Sequence, residues 1–88
     1  LDIAAQYGHE AVVRALIEAG TDINMETDDD VTPLLIAAQK GHEAVARALL
    51  EAGADVNNAN DIGATPLFMA ATNGADAIAQ MLRDAGAV

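Results

Sequence analysis

Apolar residues fall along this chain in short clusters of two alternating kinds. In one kind, Val45, Ala48, Leu49 and Ala52 stand at i, i+3, i+4 and i+7, the stripe of an amphipathic helix, which Gly53 closes. In the other, Thr32-Pro33 and Thr65-Pro66 set a capping hydroxyl before a proline at the first helical position, where a missing N–H costs nothing. The helix that starts there ends at Gly41 or Gly74, since glycine readily takes the left-handed conformation, and so runs about two turns. Alanines between the two helices allow them to approach closely. Between one pair and the next lies 54–64, "ADVNNANDIGA", whose Asn, Asp and Gly predict a turn or hairpin.

The pattern repeats. Leu1, Leu34 and Leu67 fall into register at a spacing of 33, and "GHEAVVRALIEAG" at 8–20 is nearly restated as "GHEAVARALLEAG" at 41–53. Such a period implies stacked supersecondary units, none able to bury its apolar face alone. The units predicted are 1–33, 34–66 and 67–88, with the first truncated at its start because it lacks the Thr-Pro entry. One second-helix position reads Ile17, Leu50, then Arg83, and with Gln80 and Asp84 this marks the third unit as a C-terminal cap.

Residues Thr32-Pro33-Leu34, Ala37-Ala38, Gly41-His42, Leu49-Leu50 and Gly53-Ala54-Asp55-Val56-Asn57 resemble the ankyrin repeat, and the resemblance covers the whole chain. It implies an all-α helical solenoid of about three stacked helix-turn-helix units with hairpin-like turns. Two departures stand out. Leu35 and Phe68 occupy the place where the family usually has histidine, and core packing is the expected role of Phe68. Asp30 stands where the next unit has the turn glycine Gly63, which is expected to loosen that turn.

Composition narrows the function. Four Lys+Arg against fourteen Asp+Glu give a net charge of -10, which repels nucleic acid and anionic lipid and favours a partner with a basic surface. Hydrophobic residues reach 52% but aromatics only 2%, so alanine-rich stacking replaces a bulky core. With no cysteine there is no disulfide or thiolate zinc site, which suits a reducing, intracellular and cytoplasmic setting. No apolar run is long enough to span a bilayer.

Candidate chemistry is sparse. His9 and His42 sit one repeat apart at the start of the second helix, a structural place in the ankyrin pattern rather than a metal or general-base site. There is no nucleophile in a strained turn, no phosphate loop and no paired carboxylates in an evident pocket. The expectation is no enzyme, no cofactor and no metal. Asp28-Asp29-Asp30 with Glu26 reads first as a solvated loop and second as a patch that steers a basic partner; it lacks the spacing of a calcium loop.

The resemblance implies a protein-binding module with a concave face built from first-helix surfaces and turn tips. Onto this chain it carries Gln6, Tyr7, Gln39, Lys40, Thr72 and Asn73, with Glu26, Asp28, Asp29, Val31, Ala59, Asp61, Ile62 and Ala64 at the turns. Tyr7 is either the anchor of that face or a cover for alanine-rich helix surface. The alternative role is a structural or spacer segment of a longer array; the chain is expected to be a monomer or part of a longer polypeptide. The resemblance also implies Asn24 and Asn57 as possible substrates of an asparaginyl hydroxylase.

Overall fold

The computed structural model describes residues 1–25 and 31–87. They form six helices and no strand: α1 (Asp2–Gln6), α2 (Glu10–Glu18), α3 (Pro33–Lys40), α4 (Glu43–Glu51), α5 (Pro66–Thr72) and α6 (Asp76–Asp84). Two rows result. The first helices stack as α1, α3, α5 and the second as α2, α4, α6, while each first helix also packs on its own second helix.

The entry and exit signals work as the sequence predicts. Thr32 Oγ1 accepts from the Leu35 N–H at 3.3 Å and Thr65 Oγ1 from the Phe68 N–H at 3.1 Å, each ahead of its helical proline. Gly41 closes α3 at φ 75°. At the end of α4 the Gly53 N–H donates to the Leu50 carbonyl and the Ala54 N–H to that of Leu49, both at 3.0 Å, the paired bonds of a Schellman motif.

The core runs between the rows. Leu34, Ala37 and Ala38 of α3 face Val45, Ala46, Ala48 and Leu49 of α4, all at most 2% exposed. Val13, Ala70, Ile78 and Leu82 extend it into the flanking pairs. Complete burial stabilises each Leu, Val or Ile by about 1.5–3 kcal/mol relative to exposure.

Three expectations need correction. Phe68 is 58% exposed rather than packed in the core, although Leu35, one repeat earlier, is 1% exposed. The physical difference is cover: α3 is flanked by helices on both sides and α5 by α3 alone. Ala52, the last residue of the apolar stripe, is the exposed C-cap of α4, and Ala46 is buried in its stead. Ala64, placed among the contact residues, is 6% exposed. The turn carrying Asp30, and the acidic residues Glu26, Asp28 and Asp29, lie outside the described residues.

Candidate protein-binding face

Each first helix presents three side chains at i, i+3 and i+4, which share one face. In α1 and its C-cap these are Ile3, Gln6 and Tyr7; in α3 they are Ile36, Gln39 and Lys40; in α5 and its C-cap they are Met69, Thr72 and Asn73. The six polar or aromatic positions assigned from the sequence are all exposed. The apolar position beside them was missed: Ile3 is 71% exposed, and Ile36 and Met69 are half-buried. A signal existed in the sequence, since an apolar residue recurs three before each Gln or Thr of the face.

Two long-range hydrogen bonds hold these helix ends together. His42 Nε2 lies 2.9 Å from the Gln6 carbonyl oxygen, to which it donates, and Asn73 Nδ2 donates to the Gln39 carbonyl at 3.0 Å. The two acceptors are equivalent positions, but the donors are not. The third unit has Ala75 where the second has His42, and Asn73 reaches back in its place. His42 is thus engaged structurally, as expected of it, and Asn73 combines an exposed position with a structural bond.

Tyr7 is 63% exposed and covers little of the alanine surface; its ring meets that of His9 at 6.2 Å between centroids, tilted by 36°. Asn24 Oδ1 accepts from the Asp55 N–H at 2.9 Å, so this asparagine ties the turn after α2 to the turn after α4.

The turn before α5 is built on Asn60, a residue not singled out in the sequence. Its Oδ1 accepts from the Ile62 and Ala64 N–H groups at 3.1 and 2.9 Å, while its own N–H donates to the Ala64 carbonyl at 2.9 Å. Gly63 takes φ 83° within this loop. The turn thereby projects Ile62, 84% exposed, and Asp61 outward. Ala64 lies beneath it, and Ala59 and Val31 are half-buried, so these three shape the turn more than they supply contact area. Ile62, Gly63, Ala64 and Phe68 line a shallow groove of about 240 Å³.

The second-helix row has a different character. Arg14 bonds Glu10 at 2.9 Å in its own helix and Glu51 of the next at 3.1 Å. Hydrogen bonds from Glu10 first, and then Glu51, hold the Arg14 guanidinium pKa above its ordinary value. One repeat on, Arg47 bonds only Glu43 of its own helix, at 3.0 Å, and Asp84 bonds Gln80. The groove between α2 and α4 measures about 210 Å³ and its counterpart between α4 and α6 about 340 Å³.

Stacked helix pairs with Thr-Pro entries, glycine exits and hydrogen-bonded junctions define a helical repeat solenoid. This chain belongs to the ankyrin repeat family: the model of ankyrin repeats in three copies matches residues 1–88. Among solved structures it is similar to the human ASB11 ankyrin repeat domain, at 40% sequence identity and a TM-score of 0.95 over 99% of this chain. It spans 39% of the length of that chain. No curated protein matches it. Ankyrin repeats are generally protein-interaction modules and generally non-catalytic. None of the described helices is long and apolar enough to cross a membrane.

Proposed function

We propose that this chain binds a protein partner through its first-helix face and the turn before α5, with no catalytic step. One observation carries the reading. The exposed side chains at the ends of α1, α3 and α5 rise from backbone tied together by His42 and Asn73, so the face is preformed and loses little conformational entropy on binding. Tyr7 is the anchor, with Ile3 beside it supplying apolar area. Lys40 and Asp61 set polar register, and Glu26, Asp28 and Asp29 attract a basic partner to a chain of net charge -10.

The test uses residues 1–88 as bait beside a variant carrying Tyr7→Ala, Lys40→Ala, Asp28→Ser, Asp29→Ser and Asp30→Ser. A control carries Arg47→Ala and Glu51→Ala on the second-helix row. All are checked for helicity by circular dichroism, and a captured protein is purified and titrated against each. The face variant is expected to bind at least about tenfold more weakly, the control equally. Equal binding by the face variant overturns the reading.

A second reading, a spacer segment in a longer array, is favoured by one feature: Val12 and Phe68, at opposite ends of the stack, are 49% and 58% exposed. It calls for no partner on the first-helix face.

A further inference from the structure

Equivalent positions in the three units reveal which neighbour covers each. Val12, Val45 and Ile78 share a position on the second helix, yet Val12 is 49% exposed and the other two at most 2%. Ala15 is exposed where Ala48 is 2% exposed. Cover at these positions comes from the preceding unit. The opposite holds for the first helix. Ala5 and Ala38 are fully buried while Ala71 is exposed, and Leu35 is buried while Phe68 is not, so cover there comes from the following unit. One end of the stack offers what the other end requires.

Three local features make the ends complementary beyond being apolar. The ring of His42 lies against Gly8, so close that a Cβ on Gly8 would sit 2.7 Å from Nδ1, whereas the equivalent Gly74 has nothing within 4 Å of its own Cβ direction. His9 is the equivalent of His42, and the Thr72 carbonyl is the equivalent of the Gln6 carbonyl that His42 binds. The third feature is charge. In the interior grooves the position of Ile17 and Leu50 looks across to residues of the next second helix, Glu51 and Asp84 among them. One step further that position is Arg83, and the acid opposite it in a following unit with the sequence of the first would be Glu18.

We propose that a second copy of this chain stacks head-to-tail on the α5–α6 end, continuing the solenoid. Phe68 and Ala71 are covered by the α1–α2 pair of the second copy, the His9 ring settles over Gly74 with Nε2 donating to the Thr72 carbonyl, and Arg83 pairs with Glu18. The contact is heterologous, and each added copy presents the same free end, so association is open-ended rather than closing at a dimer. It involves neither Lys40 nor the exposed ring of Tyr7, so it fails or stands independently of partner binding.

Sedimentation equilibrium of residues 1–88 tests it, run up to about 1 mM protein, a range that detects weak contacts. About 0.15 M salt screens the net charge beyond roughly 8 Å. The expected result is a weight-average mass that rises steadily with concentration. Phe68→Glu and Arg83→Glu, both at exposed positions and checked for helicity, are each expected to lower the association constant at least fivefold. Arg83→Glu combined with Glu18→Arg is expected to restore it. A mass that stays monomeric overturns the proposal and leaves this end to a further repeat of the same polypeptide. So does a plateau at twice the monomer mass, or a charge reversal that fails to restore association.

Discussion

His42 Nε2 sits 2.9 Å from the carbonyl oxygen of Gln6, 36 residues earlier, joining the start of one second helix to the end of the preceding first helix. Removing the ring by His42→Ala leaves that carbonyl without its protein donor. The expected loss is about 0.5–1.5 kcal/mol. For a domain of this size each 1 kcal/mol is worth about 4–8 °C in Tm, which thermal unfolding followed by circular dichroism reads directly.

Gly8 and Gly41 end equivalent helices with nearly the same backbone, φ 72° and 75°, but only Gly8 has an imidazole against it. At Gly41 an alanine meets the left-handed penalty alone, about 1–2 kcal/mol. At Gly8 it must also displace the His42 ring, which breaks the bond to Gln6. Gly8→Ala is therefore expected to cost about 1 kcal/mol more than Gly41→Ala, the size of one hydrogen bond. In a His42→Ala background the excess should vanish, and a double-mutant cycle checks this.

Asn73 performs in the third unit what His42 performs in the second, from a position two residues before the histidine site. Asn73→Ala should cost about 0.5–1.5 kcal/mol. Adding Ala75→His to that variant should recover most of the loss, because the space beside Gly41 is open and the Gln39 carbonyl is then free to accept. Urea unfolding midpoints of the three proteins decide the matter; failure of the second change to rescue the first would mean that the two donors are not interchangeable.

On the second-helix row, Arg14 spans to Glu51 while Arg47 stops within its own helix, and the acid opposite it, Asp84, is shorter by one methylene. Asp84→Glu is expected to let Arg47 cross the wider groove. The pair would be exposed, so the gain should stay below about 1 kcal/mol. Melting curves in low and in 1 M salt should show the gain only in the former, since screening removes exposed ion pairs.

The architecture was legible because its signals are local and recur. Thr32-Pro33 and Thr65-Pro66 cap helices by atoms within three residues, and the register of Leu1, Leu34 and Leu67 announces the stack. What depends on neighbours was harder to read. Leu35 and Phe68 look alike in sequence, yet one is buried and the other exposed, because burial at that position is decided by the next unit. The same holds for the face. Gln6, Tyr7, Gln39, Lys40 and Thr72 are exposed as expected, but the bond from Asn73 to Gln39 follows from the absence of histidine at 75, a compensation across two positions that periodicity does not express.

Every helix of this chain touches only its own partner and the helices of the adjacent units. That arrangement gives the middle pair, α3 and α4, two stabilising interfaces where each outer pair has one. The amides of Leu34–Ala38 and Val45–Leu49 should thus be the last to exchange with deuterium, through the opening of the whole chain, while α1 and α6 exchange by local fraying. Because all the contacts are short in sequence, refolding should begin at this centre and spread outward, on the fast timescale of helical proteins.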